Sequence, residues 1–256
     1  HAVAADDEGH LYVTGATSSS VNFPIVGGVQ SANKGGFGMF VTKVAPGGNT
    51  LVFSTYIGGT LSDMGFDNAL DADHNVYVVG NVRSFDNPST PQNEGMPVAS
   101  AFQPVFGGGV SDGFVLKLAA AGNQLLFATY LGGSANESDD GTSVAPTGGI
   151  AVDAQRNVYV AGHTTSANFP TTPNRLQPFT GSQDMFITKL APAGNQIVYS
   201  TFLGAATFNE ACLGLAVDSR GSAYVAGWAG PAFPRVNALP PTPGVPTSNS
   251  GVKTDA

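Results

Sequence analysis

Aspartate and lysine are the charged residues with the most regular placement in this sequence. Only 11% of the 256 residues are charged, yet one aspartate and one lysine recur within similar segments. The aspartates are Asp6, Asp71, Asp153 and Asp218, and the lysines are Lys43, Lys117 and Lys189. Carboxylates suit calcium, but one aspartate per segment does not converge on one ion. Because aspartate often accepts backbone N–H bonds in its own turn, we predict a structural role. We expect each lysine to neutralise a nearby carboxylate, or to lie along a sheet with its ammonium in water.

A second group of carboxylates lies in the segment SANESDDGTS (134–143). Glu137, Asp139 and Asp140 offer oxygen ligands and are the candidate calcium site, but a solvated acidic loop is the interpretation that we prefer. The spacing Asp71-x-Asp73-x-Asn75 is a weaker calcium pattern, because it lacks the downstream Gly and bidentate Glu of an EF-hand. We expect no required cofactor, and structural calcium is the one option kept open.

Candidate ligand contacts come from a position that varies while its neighbours repeat. This position follows the last glycine of segments such as VYVAG, and it holds Ala16, Asn81, His163 and Trp228. Trp228 is the sole tryptophan, and it either stacks on a sugar ring or partner side chain or packs beneath its Pro-rich loop. We predict that Asn81, His163 and Trp228, with the nearby Arg83, contact a ligand.

Patterns typical of catalysis are missing from the sequence. It contains no G-x-S-x-G, HxH, HExxH, Walker or dinucleotide-binding motif, so we nominate no catalytic residue. Cys212 is the sole cysteine, which excludes a disulfide within the chain, and we expect it to be a small buried hydrophobe. The sequence therefore favours a protein that is not an enzyme.

Charge and hydropathy exclude two classes of partner. The net charge is −8 and basic runs are missing, so nucleic acid and anionic membrane surfaces are poor partners. Apolar runs are too short to span a bilayer. A protein or a glycan is the expected partner.

The elements that must position these residues are strands. Segments AADDEGHLYVTG, ALDADHNVYVVG, AVDAQRNVYVAG and AVDSRGSAYVAG each place two apolar runs around a polar turn, which predicts a hairpin of strands a and b. Segments such as MFVTKVAPGGNTLVFSTYIGG place Gly-Asn between two alternating runs and predict a second hairpin, of strands c and d. The aspartate markers are 65, 82 and 65 residues apart, and all insertion falls in the b–c and d–a loops.

Four-stranded units that repeat along a chain predict an all-β fold, a β-propeller of antiparallel blades. We place blade 1 at 1–60, blade 2 at 66–133, blade 3 at 147–205 and half of blade 4 at 212–256. Three and a half blades do not close a ring of about 4–8 blades. We therefore expect further repeats in the same chain, or a neighbouring chain, to complete it. The b–c and d–a loops share one face of the disc, which we expect to carry function.

The repeat resembles the bacterial SBBP-type β-propeller repeat. The resemblance is carried by the pattern D-x-x-x-N-x-Y-V-x-G, then T-S/T-x-x-F-P, D-x-F-V-x-K-L and S-T-Y-L-G-G. In the third unit this pattern reads from Asp153, Tyr159 and Phe169-Pro170 through Asp184 and Lys189 to Gly204. Phe202 replaces the expected Tyr, and Ala205 replaces the second Gly. The resemblance implies a secreted or surface-displayed bacterial protein and brings no catalytic residues.

Three functions remain open from the sequence. The first is an extracellular, non-enzymatic propeller that acts as a binding or structural module through its b–c/d–a face. The second is a hydrolase or lyase of extracellular polysaccharide, which would need two carboxylates in a shared cleft, about 5–10 Å apart. The third is a subunit of an extracellular filament in which open sheet edges pair between chains.

Overall fold

The fold is built from strands alone in the part of the chain that the structure describes. The computed structural model describes residues 1–86, 94–138, 148–206 and 209–236. These residues form fourteen β-strands and no helix. Accordingly, no described helix has the length and apolar character that crossing a bilayer would require. The prediction of an all-β fold is confirmed.

Three four-stranded antiparallel sheets follow one another along the chain, and a two-stranded sheet follows them. The first contains β1 (Ala2–Ala5), β2 (Leu11–Thr17), β3 (Gly38–Val44) and β4 (Leu51–Ile57). The second contains β5 (Asp63–Leu70), β6 (Val76–Val82), β7 (Asp112–Leu118) and β8 (Leu125–Leu131). The third contains β9 (Gly149–Val152), β10 (Val158–Thr164), β11 (Asp184–Leu190) and β12 (Ile197–Leu203). The fourth pairs β13 (Ala211–Val217) with β14 (Ala223–Trp228).

Within each four-stranded sheet the strands pair in chain order, as predicted for strands a, b, c and d. The c–d turns are closed by glycines in the left-handed region, with φ of 72° at Gly48, 73° at Gly122 and 72° at Gly194. Glycine adopts this conformation without steric cost, which explains why Gly-Asn recurs there. The second sheet begins at Asp63, ahead of the predicted boundary at residue 66.

Hydrophobic cores lie between successive sheets. Along β6, Val76 and Val78 belong to the core shared with the first sheet, whereas Tyr77 and Val79 belong to the core shared with the third. This alternation is the period of two that a strand imposes, and it buries the second sheet on both faces. Cys212 lies in a third core, between the third and fourth sheets, and is fully buried as expected.

Successive sheets meet through equivalent contacts. A Cβ atom on Gly122 would lie 2.3 Å from the Phe53 ring of the preceding sheet, and one on Gly194 would lie 2.2 Å from the Phe127 ring. Strand β5 contacts β1, and β9 contacts β5 and β13, so the a strands are neighbours. Sheets stacked in this manner are consistent with blades of a propeller. The number of blades and the closure of a ring stay predictions.

Candidate functional site

Aromatic side chains anchor the b–c loop of each four-stranded sheet. Strand c supplies a phenylalanine and strand d supplies the aromatic residue opposite it: Phe40 and Tyr56, Phe114 and Tyr130, and Phe186 and Phe202. In the first sheet, the Phe23 ring of the b–c loop lies 4.9 Å from Phe40 and 5.3 Å from Tyr56. In the third, Phe169 stacks on Phe186 at 4.3 Å. Aromatic packing therefore fixes each loop against the outer half of its sheet.

The third sheet departs from this arrangement at the strand d residue. Tyr56 donates its hydroxyl to Ser19 O at 2.7 Å, and Tyr130 donates to Ser84 O at 2.9 Å. Each hydroxyl thus ties strand d to the start of its b–c loop. Phe202 has no hydroxyl and makes no such bond. The loop of the third sheet is therefore held at this point by ring packing alone.

A cavity lies beside Phe202, between it and the b–c loop. Its volume is about 570 Å³, which is within the usual range for a small-molecule site. Its walls combine aromatic and proline surfaces with polar side chains: Ala167, Asn168, Phe169, Pro170, Thr171, Arg175, Pro178, Phe179 and Phe202. The cavity thus offers apolar walls together with groups able to hydrogen bond a ligand.

Two polar side chains of this cavity have free hydrogen-bond donors. Arg175 is exposed, and its guanidinium has no partner among the described residues. Asn168 accepts bonds from Ser134 N at 2.9 Å and Ser134 Oγ at 3.0 Å, so its carbonyl oxygen is engaged. Its amide N–H groups remain available to a ligand.

Each described segment that crosses from one sheet to the next carries a buried acidic residue. These residues are Asp63, Glu137 and Glu210, each fully buried. Asp63 accepts bonds from Gly59 N at 2.8 Å and Ser84 Oγ at 2.8 Å. Glu137 accepts a bond from Thr164 Oγ1 at 2.7 Å. Ser84 follows strand b of the second sheet, and Thr164 is the last residue of strand b of the third. Asp63 and Glu137 therefore each connect a crossing segment to an a–b hairpin.

At the second crossing two carboxyl groups meet. Asp112, the first residue of β7, is fully buried and accepts a bond from Gly107 N at 2.6 Å. A Cβ atom on Gly132 would lie 2.5 Å from both Asp112 Oδ1 and Glu137 Oε2, so these two oxygens are close neighbours. Neither oxygen has a donor among the described groups. A single proton shared between them would satisfy both.

Burial and the facing carboxylate together shift the acidity of this pair. Burial, with the charge of Glu137, raises the pKa of Asp112 to about 8. Burial likewise raises the pKa of Glu137. Near neutral pH, one carboxyl group of the Glu137–Asp112 pair is therefore protonated and the other is ionised. Because both side chains are fully buried and neither lines the cavity, they do not form the open carboxylate cleft that a glycosidase requires.

The recurrent aspartates lie at the opposite end of the sheets, in the a–b turns. Each accepts two backbone N–H bonds within its own turn; Asp71 Oδ1 accepts from Asp73 N and Asn75 N, both at 3.0 Å. Each also accepts a bond from a b-strand tyrosine, at 3.1 Å for Asp6, 3.0 Å for Asp71, 3.1 Å for Asp153 and 3.1 Å for Asp218. These bonds give the aspartates the turn-forming role expected of them.

A lysine completes this arrangement in the three four-stranded sheets. Lys117 Nζ lies 2.9 Å from Asp71 Oδ2 and 4.8 Å from the centre of the Tyr77 ring, which lies directly opposite on β6. Lys189 and Lys43 make the same contacts with Asp153 and Asp6, at 3.3 Å and 3.7 Å. Of the two positions considered for the lysines, the structure thus shows pairing with a carboxylate.

The pKa values of the a–b turn aspartates are lowered as a result. Burial opposes their ionisation, but hydrogen bonds from Asn75, Lys117 and Tyr77 outweigh it and lower the pKa of Asp71 to about 2. For Asp6, burial is outweighed by bonds from His10 and Tyr12, which lower its pKa to about 2.

The structure separates the four residues predicted to contact a ligand. Asn81 and His163 are buried, with exposed fractions of 1% and 3%, so neither is available on the surface. Both reach the Glu137–Ser138 crossing, because Asn81 Nδ2 donates to Ser138 O at 3.4 Å and His163 O accepts from Ser138 N at 2.9 Å. Arg83 is half-buried beside Asp63, and Trp228 is 51% exposed.

Glu137, one of the three candidate calcium ligands, does not lie in a solvated loop. That carboxylate is fully buried and bonded to Thr164, and it faces Asp112 instead of solvent. The expectation of a solvated Glu137 is wrong, because the crossing segment carries this residue between two sheets. Asp139 and Asp140 lie outside the described residues.

Comparison with known families supports the repeat. Residues 126–170 match the family model SBBP, described as a beta-propeller repeat. The resemblance to the SBBP repeat is thus confirmed. The matched segment runs from β8 through the Glu137 crossing, β9 and β10 to Pro170, so the SBBP match spans the junction of two sheets. No curated protein shows significant similarity to the chain.

Proposed function

We propose that this β-propeller domain is a non-enzymatic module that binds an extracellular glycan in the cavity of its third b–c loop. The observation that carries the proposal is the combination of this cavity with the missing hydroxyl of Phe202. Tyr56 and Tyr130 hold the equivalent loops of the first two sheets by hydrogen bonds. At the third loop this tyrosine hydrogen bond is missing, and the cavity lies beside the Phe202 ring.

The chemistry of the walls favours a sugar. The apolar C–H face of a pyranose packs well on the aromatic and proline walls formed by Phe179, Pro178 and Pro170. The Arg175 guanidinium and the Asn168 amide supply donors for its hydroxyl groups. With a net charge of −8, the chain also favours neutral over acidic glycans.

A hydrolase or lyase is supported less well by the same geometry. Asp112 and Glu137, which lie close together among the residues that the structure describes, are buried within a junction. A substrate bound in the cavity would touch neither of them. We therefore propose that the cavity binds its ligand without reacting with it.

A glycan array tests the proposal. We expect the wild-type protein to bind a restricted set of neutral oligosaccharides, and Arg175→Ala to weaken that binding about tenfold by removing a charged hydrogen-bond donor. Phe202→Tyr should also weaken it, since the new hydroxyl enters the cavity. Arg220→Ala removes an exposed arginine from the a–b turn of the fourth sheet and should leave binding unchanged. Equal binding by wild type and both cavity variants would refute the proposed site.

A structural role is a second candidate, favoured by apolar residues on the outer faces of the first and fourth sheets. Val3 is 65% exposed on the first, and Leu213 and Tyr224 are 52% and 60% exposed on the fourth. We propose that these faces pack on further sheets of the same kind. Light scattering of the chain and of a Val3→Lys variant tests this: self-association that the charge abolishes supports packing, and a monomer in both cases contradicts packing between copies.

A further inference from the structure

A cluster of nitrogen and oxygen ligand atoms lies where the a–b turns of the first two sheets meet. Ligand atoms of Asp6, Glu8 and His74 all lie within 4.8 Å of one another. His10 adjoins them, because its Nδ1 lies 3.1 Å from Asp6 Oδ2 and 3.6 Å from Glu8 Oε2. His74 Nδ1 lies 3.9 Å from Asp6 Oδ2. Two carboxylates and the His74 imidazole thus converge, with the His10 imidazole beside the two carboxylates, although the sequence spacing of the histidines shows no metal motif.

The separations within this cluster are those of a small tetrahedral site. Zinc bonds of about 2.0–2.2 Å to nitrogen and oxygen place neighbouring ligands of a tetrahedron roughly 3.3–3.6 Å apart. The three distances of 3.1, 3.6 and 3.9 Å fall around this value. The ligand atoms of Asp6, Glu8 and His74 lie within 4.8 Å of one another, so binding one ion would require side-chain rotations that bring them closer. The Glu8 side chain is 62% exposed and the Asp6 side chain is 1% exposed, so one ligand is open to solvent and the other is enclosed by protein.

The next junction along the chain shows what a turn pair without these ligands looks like. There Asn75 stands in the position of His10, and Arg156 stands in the position of His74. Arg156 reaches back and pairs with Asp73, so a permanent cation neutralises the junction. At the first junction, His74 replaces that cation, and its Nε2 lies 2.9 Å from Asp7 Oδ1.

Charge is also less balanced at the first junction. Three consecutive carboxylates, Asp6, Asp7 and Glu8, occupy this turn. The nearest ammonium, Lys43 Nζ, lies 3.7 Å from Asp6 Oδ2, farther than Lys117 lies from Asp71 at 2.9 Å. A divalent cation would supply the positive charge that Arg156 supplies at the next junction.

We propose that Asp6, Glu8 and His74, with His10 as the fourth ligand, bind one divalent transition-metal ion, Zn²⁺ by preference. Imidazole and carboxylate together suit zinc, whereas calcium prefers oxygen ligands alone. Because its ligands come from two sheets, the ion would connect the first two a–b turns. This site lies at the end of the sheets opposite the proposed glycan cavity, so each proposal can fail without the other.

Titration of the metal-free chain with zinc, followed by calorimetry, tests the proposal. We expect one equivalent to bind and the melting temperature to rise. His74→Arg and His10→Asn place at this junction the residues found at the next one, so both variants should fold. Each should weaken zinc binding by at least about tenfold, as the loss of a ligand costs more than the loss of a supporting contact. Co²⁺ in place of zinc should give the strong visible absorption of a tetrahedral site.

Two control variants test whether zinc binds to other groups of the chain. Gln155→Ala alters the third-sheet residue equivalent to Glu8, and His1→Ala removes the histidine that could bind a metal with a free terminal amine. Both should bind zinc as the wild type does. The proposal is overturned if the wild type takes up no zinc, or if His74→Arg binds it as tightly as the wild type. Unchanged binding by His10→Asn would remove His10 from the ligand set.

Discussion

Replacing Asp112 with asparagine should flatten the pH dependence of folding stability. The folded protein holds a proton on the Asp112–Glu137 pair, with the pKa of Asp112 raised from 3.8 to about 8. The unfolded chain releases that proton near its ordinary pKa. Since the folded state then binds more protons than the unfolded state, the free energy of unfolding falls as pH rises from about 4 to about 8. Below this window both states are protonated, and above it both are ionised.

The magnitude follows from the number of protons involved. One proton bound in excess by the folded state gives a slope of about 1.4 kcal/mol per pH unit. Relaxation and water entry reduce the full effect, so we expect the wild type to lose about 2–4 kcal/mol between pH 5 and pH 8. In Asp112→Asn the side-chain amide is neutral throughout and can donate to Glu137 Oε2, the oxygen that lacks a donor. The slope should fall by at least half.

Urea unfolding at pH 5, 6, 7 and 8, followed by circular dichroism, measures these slopes. Asp86→Asn is the matched control, because Asp86 is exposed and accepts one backbone N–H, from Gly95 at 2.9 Å. It should keep the wild-type slope. Equal slopes for wild type and Asp112→Asn, or a wild-type stability that rises with pH across this window, would show that the two carboxyls share no proton.

Three further predictions concern the a–b and c–d turns. Lys117→Met leaves the buried Asp71 carboxylate without its ammonium and should lower the free energy of unfolding in urea by about 3 kcal/mol. Lys43→Met should lower it less, because Lys43 lies farther from its aspartate. Equal losses for the two variants would contradict this ranking. Gly122→Ala should destabilise the protein by about 2–4 kcal/mol, since its φ is 73° and the new Cβ would meet the Phe53 ring. Gly48→Ala, with φ of 72° and nothing within 4 Å of its Cβ, should cost only about 1 kcal/mol, and a Gly122 variant as stable as the Gly48 variant would refute the contact. With their pKa lowered to about 2, Asp6 and Asp71 should make stability fall as pH drops from about 4 to 2, and Asp71→Asn should weaken that acid dependence in thermal melts; an unchanged dependence would contradict the shift.

Local patterns in the sequence determined much of the fold. Alternating apolar runs and the Gly-Asn turns predicted the strands, and these strands pair in chain order. Fixed spacing also indicated that the recurrent lysines could pair with a carboxylate, but the tyrosine between them, such as Tyr77 opposite Lys117, was not predicted as a partner. Such features depend on neighbours within one hairpin or sheet, and the repeat shows those neighbours several times.

The candidate sites depend on contacts that no local pattern contains. Asp112 and Glu137 meet because the crossing segment folds back between sheets, and the sequence shows only that an acid follows each strand d at a similar distance. His74 reaches the first a–b turn because two sheets stack. Asn81 and His163 were expected on the surface, but the same crossing segment covers them. The one local signal for the cavity was the replacement of tyrosine by Phe202.

Hydrogen–deuterium exchange with and without an oligosaccharide from the array would test the binding account most directly. If the third b–c loop binds the glycan, amides of residues 165–180 should gain protection, while the equivalent residues 16–33 of the first sheet should not change. Protection confined to the a–b and c–d turns at the opposite end, or equal protection of both b–c loops, would contradict a binding site created by the loss of the tyrosine hydroxyl at Phe202.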